Sequence, residues 1–329
     1  MNNANVTRVG VGLGCWLAAL AWSAQGTPLT AGEPILLEKT QGKFDFIRLD
    51  ASKHRLLLAH TGNKSLDIFD LNSKHLVKSV PTGAAQDSAV DLKRGRYYVS
   101  VSAPPKMVIV DADKLEVAGE VALPAAADLL TYNPVNGRAY VCNDTAAELW
   151  VIDAEAKKID HTIVLPGSSM EDLAFDAEGK HLFQVVSGNN TMVVLDPSNN
   201  KLLESWSVVP AAKPHGMALV PDGGTVLVAG GTGKLSLLDR TTGKVLASAD
   251  IENRVDEMAY DPQFHVAYCP GGSGKISIVR VEGDKLTVSG QVTGAMGRSV
   301  VVDPNTHTVW VAGSKGDQCF VQPFTADLR

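Results

Sequence analysis

The strongest constraint on the fold of this chain is a repeat of 41 to 43 residues, marked by short apolar runs that end in aspartate. Five such runs end at Asp70, Asp111, Asp153, Asp196 and Asp239. Two further runs follow at the same step, residues 276–280 and 319–322, and keep the apolar residues without the aspartate. The chain therefore contains seven units.

Each unit has the pattern of four short strands joined by turns. In the third unit the strands are predicted at residues 128–133, 138–142, 148–153 and 159–165. One small sheet cannot bury both of its faces alone, so neighbouring sheets must stack, and this period is typical of propeller blades. The sequence therefore predicts an all-β, seven-bladed β-propeller with four-stranded antiparallel blades. A β-helix or solenoid, the alternative, would use shorter rungs.

The two ends of the repeat region predict how the ring closes. The last unit, residues 296–324, has three predicted strands, and an additional apolar segment at residues 34–39 precedes the first unit. An N-terminal strand that completes the last blade would hide two open sheet edges at once. We therefore expect the last blade to be closed by the N-terminal strand.

The first residues resemble an export signal. Arg8 is the only charged residue before Glu33, and residues 9–24 are apolar but shorter than the roughly 20 residues of a spanning helix. We predict a cleaved signal peptide at residues 1–26, a propeller at residues 27–329 with no transmembrane span in the mature chain, and a periplasmic or secreted location. A lipoprotein is disfavoured because Leu13 lies one place late for a lipobox ending at Cys15.

Composition excludes some partners. Apolar residues form 45% of the chain and charged residues 20%, which indicates a globular protein with a full core. The formal net charge of −6 argues against binding duplex DNA through its phosphates. We therefore do not expect a nucleic acid as the partner.

Three segments carry a resemblance to a known family: residues 215–223, 238–245 and 255–262, each a strand beside an Asp-Pro, Pro-Asp-Gly or Asp-x-x-x-x-Lys-Val element. The pattern resembles the YVTN-repeat, YncE-like exported propellers, and it extends over essentially the whole mature chain. The resemblance implies the propeller architecture but no particular activity. Some relatives are thought to bind single-stranded DNA, which the acidic balance and the scarcity of basic or aromatic clusters disfavour here.

Function is expected where the chain enters the innermost strand of each blade, because loops converge there around the channel. We aligned the seven predicted innermost strands on their last residues. Five positions before the last residue, the aligned residues are Asp45, Gln86, Asp128, Glu171, Gly216, Asp256 and Arg298. The next position adds Asp87, Asp172 and Glu257, and His215 precedes Gly216. An acidic channel mouth with one arginine and one histidine is therefore predicted as the ligand-binding site.

Two interpretations of these acidic residues stay open. The carboxylates can accept backbone N–H groups in turns, and Arg298 can pair with Asp45 or Asp256. An excess of like charge at one depth is better explained by a bound cation. We therefore expect a binding or scaffold protein whose mouth takes a small cationic ligand, a peptide or a metal ion, with Ca²⁺ or Mg²⁺ as the possible cofactor.

Catalysis is the alternative. The Lys-Pro-His215-Gly segment resembles an element of virginiamycin B lyase-like propellers. A metal-assisted lyase or lactonase would use His215 with Glu171, Asp172, Asp256 or Glu257. The sequence contains neither a Gly-x-Ser-x-Gly elbow nor a HExxH motif, so binding is expected rather than catalysis. A purely structural module for protein contact is the third hypothesis.

Overall fold

A computed structural model describes Met1, residues 29–221 and residues 224–326 of the chain. Apart from Met1, the predicted signal peptide therefore lies outside the described residues, as do two residues of the Pro-Asp-Gly turn after Pro221. Within the described ranges, no helix has the length and apolar character needed to cross a membrane.

The strands follow one another in chain order and divide into seven blades. The first strands are β1 (Leu29–Ala31) and β2 (Ile35–Leu36), followed by blade 1 with β3 (Ile47–Asp50), β4 (Arg55–His60), β5 (Ser65–Asp70) and β6 (His75–Pro81), blade 2 with β7 (Ala85–Asp91), β8 (Arg96–Val101), β9 (Lys106–Asp111) and β10 (Glu116–Ala122), and blade 3 with β11 (Ala127–Asn133), β12 (Arg138–Asn143), β13 (Glu148–Asp153) and β14 (Lys158–Val164).

The remaining four blades repeat this order. They are blade 4 with β15 (Met170–Phe175), β16 (Leu182–Val186), β17 (Thr191–Asp196) and β18 (Lys201–Ser207), blade 5 with β19 (Pro214–Val220), β20 (Thr225–Gly230), β21 (Lys234–Asp239) and β22 (Val245–Asp250), blade 6 with β23 (Ala259–Asp261), β24 (Val266–Pro270), β25 (Lys275–Glu282) and β26 (Lys285–Thr293), and blade 7 with β27 (Ser299–Val302), β28 (Thr308–Lys315) and β29 (Gln318–Ala326). One 3-10 turn (Ser187–Asn189) interrupts blade 4.

In the described residues these strands form seven antiparallel sheets, six of which have four consecutive strands. Blade 7 is completed from the N-terminal side, since β1 and β2 both pair with β29. The prediction of a seven-bladed propeller closed by its N-terminal strand is confirmed. The closing strand differs in detail because it consists of two short pieces, and the predicted segment at residues 34–39 supplies only the second.

The core lies between blades. Seven apolar clusters in the described part of the chain each join two neighbouring sheets, and together they run around the ring. Inner strands such as β12 are buried along almost their whole length because both faces meet another blade, whereas outer strands such as β14 are mostly exposed. This stacking explains why the apolar runs of the sequence are nearly continuous.

The aspartate that ends the third strand in the first five blades has a local role. The Oδ1 atom of Asp111 accepts the N–H groups of Asp113 and Lys114, both at 2.9 Å, and Asp239 does the same for Thr241 and Thr242. These hydrogen bonds stabilise the turn into the fourth strand and lower the pKa of each carboxyl group. The repeat that identifies the fold is therefore a repeat of turns.

The innermost strands are irregular near their starts. In blades 2 to 5 the register shifts between Ala85 and Asp87 and at the matching places of β11, β15 and β19. A β-bulge adds a residue and re-aims the side chains beside it, so neighbouring residues no longer alternate strictly between faces. These bulges lie where the sequence analysis placed the ligand-binding residues.

Candidate functional site

The structure brings six of the predicted side chains together at the start of the innermost strands. We call this set the collar: Asp45 of blade 1, Asp128 of blade 3, Glu171 of blade 4, His215 of blade 5, Asp256 of blade 6 and Arg298 of blade 7. Gln86, at the same level in blade 2, instead donates to the Ser102 hydroxyl of its own blade at 2.6 Å.

One half of the collar is charge-paired. Arg298 Nη2 lies 3.0 Å from Asp256 Oδ2, which is one of the two pairings expected from the sequence. His215 Nδ1 lies 3.1 Å from Glu171 Oε2 and 3.8 Å from Asp256 Oδ1, although it is not aligned for a hydrogen bond to either. Glu171 raises the pKa of His215, which favours the imidazolium form.

The other half of the collar lacks such partners. Among the described residues, the carboxylates of Asp45 and Asp128 have neither an ion pair nor a side-chain hydrogen bond. Burial, opposed by Lys43 and reinforced by neighbouring carboxylates, raises the pKa of Asp45 to about 7. Burial, then Asp45 and Glu171, raise the pKa of Asp128 to about 8. Both groups therefore titrate close to neutral pH instead of in the ordinary aspartate range.

Arg48 lies deeper in the channel and holds the second predicted acidic level. Its guanidinium forms a two-point contact with Asp87 at 2.8 and 2.9 Å and lies 3.3 Å from both Asp172 and Glu257. The Arg48 side chain of blade 1 thus meets blades 2, 4 and 6 and crosses the channel. Burial lowers the pKa of Arg48, but the three carboxylates raise it more.

The same three carboxylates also join neighbouring blades through the backbone. Asp87 accepts the N–H of Leu130 at 3.2 Å, and Asp172 accepts that of Met217 at 3.1 Å. Glu257 accepts the N–H of Val300 at 2.9 Å. Their acceptor atoms are occupied by Arg48 and by the next blade, so these three carboxylates link the blades of the ring.

Sequence reasoning missed Arg48, although a signal was present. Two positions before the end of each innermost strand, the aligned residues are Arg48, Ala89, Thr131, Ala174, Leu219, Ala259 and Val301. One charged residue stands among small and apolar ones, on a strand whose side chains alternate with period two. Asp144, which adds negative potential to Asp128 and Glu171, was also missed, because it lies in a loop outside the aligned strands.

A cavity lies beside Arg48, among the later residues of the innermost strands. Its volume is about 370 Å³, and its lining includes Leu49, Ala89, Thr131 and Ala174. It is much less charged than the collar. The Arg48 cluster therefore lies between the collar and a cavity whose lining is mixed polar and apolar, with Ser88 and Tyr132 beside Leu130 and Met217.

The positions of these side chains bear on two hypotheses from the sequence, a bound metal ion and catalysis. In the described residues, no group of three or more histidine, cysteine or acidic side chains is arranged to hold a metal ion. Asp172 and Glu257 contact Arg48 instead of His215, so the predicted catalytic set is reduced to His215 with Glu171 and Asp256.

Seven stacked blades around a channel with an acidic mouth define a β-propeller suited to a scaffold or binding role. Solved structures share this fold: a chain of Kuenenia stuttgartiensis hydrazine synthase (TM-score 0.72, 17% identity, 84% of this chain and 93% of that one) and the β-propeller domain of Myceliophteria thermophila Cps50 (Swd1) (TM-score 0.72, 12% identity, 90% and 99%). At these identities the similarity concerns the fold alone.

Sequence comparison finds similarity to two curated proteins. The chain is 26% identical over 169 residues to YncE of Salmonella typhi and 25% identical over 169 residues to YncE of Salmonella typhimurium strain LT2, in each case over 49% of this chain. The match spans about half the length of these curated relatives, 47% in each. No family model matches the chain. The chain is therefore a seven-bladed β-propeller that is similar in sequence to the YncE proteins over about half of its length.

Proposed function

We propose that this protein is an exported binding propeller whose collar takes a cationic organic group, such as the ammonium of a polyamine or of a peptide. The observation that supports this most directly is the pair Asp45 and Asp128. Both are half-buried carboxylates without side-chain partners in the described residues, and burial followed by the charges of neighbouring carboxylates raises the pKa of each. Turn-capping carboxylates in the same chain, such as Asp111, instead have a lowered pKa.

Charge counting indicates what kind of cation fits. Arg298 offsets Asp256, and a protonated His215 offsets Glu171, so Asp45 and Asp128 are the two carboxyl groups of the collar without an ion pair among the described residues. A Ca²⁺ or Mg²⁺ ion needs several oxygen ligands converging on one point, whereas an ammonium group binds through separate hydrogen bonds and long-range attraction. With no metal-holding group among the described residues, the organic cation is the better fit.

Binding should release protons, which gives the proposal a distinctive signature. With pKa values of about 7 and 8, Asp45 and Asp128 are partly protonated at pH 7. A cation favours their charged forms, so each binding event displaces protons into the solvent. Affinity should therefore rise as the pH increases from 6 to 9, in the range where spermidine keeps most of its charge.

The test compares spermidine binding by the parent with that by Asp45→Asn/Asp128→Asn, using thermal melts and calorimetry at low and high salt. Spermidine should raise the melting temperature of the parent, less so in high salt, and should leave the double variant unchanged. The matched control is Glu282→Gln/Asp284→Asn, which removes two charges from an exposed outer hairpin and should respond like the parent. Parallel titrations with Mg²⁺ and Ca²⁺ separate an organic cation from a metal ion.

The structural alternative gives the opposite pattern. If Asp45 and Asp128 serve only the fold, the double variant should be less stable than the parent by roughly 1 kcal/mol or more without any ligand. A destabilised double variant together with a parent that ignores spermidine and both metals would overturn the proposal. Release of mutual repulsion predicts instead that the ligand-free variant is at least as stable as the parent at pH 8.

A further inference from the structure

Away from the collar, three buried side chains lie in line between blades 7 and 1. Asp67 Oδ2 is 2.7 Å from His60 Nδ1, and His60 Nε2 is 3.5 Å from Cys319 Sγ. All three residues have no exposed surface. The proposed binding function uses none of them, and an ordered carboxylate, imidazole and thiol is more than apolar packing requires.

Hydrogen bonds determine which atom of each side chain faces the next side chain in the line. The Ser65 hydroxyl donates to Asp67 Oδ1 at 2.6 Å and leaves Oδ2 for the imidazole. A carboxylate at Nδ1 holds the proton on that nitrogen, so Nε2 is left as an acceptor for the thiol proton. This is the arrangement through which a general base activates a cysteine nucleophile.

A single segment covers the line. Residues 37–44, which we call the strap, connect β2 of the closing strand to the innermost strand of blade 1. Cys319 Sγ donates to the carbonyl of Gly42 at 3.4 Å, and the ring of Phe44 stacks on His60 with 3.9 Å between ring centres. At its ends the strap is held by Leu37 N–H to Cys319 O at 2.8 Å and by Gly62 N–H to Lys43 O at 3.0 Å.

The backbone of the strap packs closely against another backbone segment at Gly42. Gly42 has φ of +92°, and a Cβ added there would lie 2.7 Å from the Cα of Gly62. A side chain at this position is therefore strained in its backbone and in contact with backbone atoms that cannot move aside easily. Gly42 offers a way to loosen the strap without touching the three side chains beneath it.

We propose that Cys319 is a latent thiol nucleophile that the strap shields, and that it forms a mixed disulfide with small disulfide compounds when the strap opens. In the closed state burial raises the pKa of the thiol, so it stays protonated and unreactive. Opening returns water to the thiol, and His60 then accepts its proton. The thiolate attacks one sulfur of a compound R–S–S–R′, the new Cys319–S–S–R bond forms as the old S–S bond breaks, and R′–S⁻ leaves with the proton from His60.

The experiment treats the folded chain with 5,5′-dithiobis(2-nitrobenzoate) and measures the rate at each cysteine by peptide mass spectrometry. Cys142 and Cys269 are also fully buried and free, so their rates report opening of the whole protein. Gly42→Ala should speed the reaction of Cys319 about tenfold or more and leave the other two rates unchanged. The matched control is Gly294→Ala, at φ of +90° with no atom within 4 Å of the added Cβ. Gly294→Ala should not speed the reaction of any one cysteine relative to the other two.

Activation by His60 is tested separately from shielding. In the Gly42→Ala background, His60→Asn should lower the Cys319 rate at pH 7 about tenfold and move its pH profile toward that of an ordinary thiol. The Cys142 and Cys269 rates again report any loss of fold. Equal rates at all three cysteines in Gly42→Ala would overturn the shielding, and an unchanged Cys319 rate and pH profile in His60→Asn would overturn the activation.

Discussion

Asp45 and Asp128 determine how the channel mouth responds to pH. Their pKa values in the folded chain, about 7 and about 8, lie above the ordinary aspartate value. The folded state therefore binds more protons than the unfolded state between about pH 4 and pH 8. In that interval stability falls as pH rises, because folding must either keep these groups protonated or bear their repulsion.

The corresponding prediction concerns the ligand-free protein. The melting temperature of the parent should fall between pH 5 and pH 8. That of Asp45→Asn/Asp128→Asn should fall distinctly less, because asparagine does not titrate. His215, whose pKa is raised, changes stability in the same direction and remains in both proteins. Thermal melts at four pH values measure the difference. Parallel curves for the two proteins would contradict the assigned pKa shifts.

The orientation of the closing strand leads to a prediction about two neighbouring leucines. Leu37 follows β2 and is buried between blades 7 and 1, whereas Leu36 is 44% exposed. The alternation of a strand explains the difference, because neighbouring side chains point to opposite faces. Leu37→Asp should cost about 3 kcal/mol or more of unfolding free energy by placing a charge in the core, while Leu36→Asp should cost less than about 1 kcal/mol.

Urea denaturation of both variants checks this prediction. The two changes are chemically identical and one residue apart, so each serves as the other's control. Equal losses would mean that the closing strand is not oriented as the pairing of Ile35 with Val321 and Leu36 with Phe320 requires. The sequence alone indicated an apolar strand here but not which leucine faces inward.

The blades were predictable for a physical reason that does not extend to the site. Each turn aspartate, such as Asp111, acts on its own turn, so the repeat can be read locally. The site depends on bulges in the innermost strands, which place consecutive residues on different partners: Glu171 beside His215 and Asp172 beside Arg48. A bulge has no fixed residue pattern, so the alignment found both acidic positions but not that the second one pairs with Arg48.

At the scale of the whole molecule, the Arg48 cluster is a tie between non-adjacent blades. Removing the guanidinium leaves Asp87, Asp172 and Glu257 buried without their cation, which is strongly destabilising. We expect Arg48→Met to cost about 3 kcal/mol, measured by urea denaturation. Phe46, whose ring lies 5.0 Å from the guanidinium carbon, should pack against the methionine and limit any change in shape.

The control for Arg48→Met is Arg138→Met. The two arginine side chains are similarly exposed, 28% and 33%, and each meets more than one carboxylate. The partners of Arg138, Asp153 and Asp160, are 16% and 24% exposed, so water screens that network and its loss should cost less than about 1 kcal/mol. Similar losses in both variants would show that Arg48 does not hold the ring together.

The position of Arg48 also limits the shape of what the mouth can admit. Its side chain contacts carboxylates of three other blades, so it lies across the channel below the collar. On the proposed function, a long partner should therefore enter with a terminus or a protruding tip. We expect a linear polyamine or a free peptide N-terminus to bind more tightly, by calorimetry, than a cyclic molecule that carries the same charges.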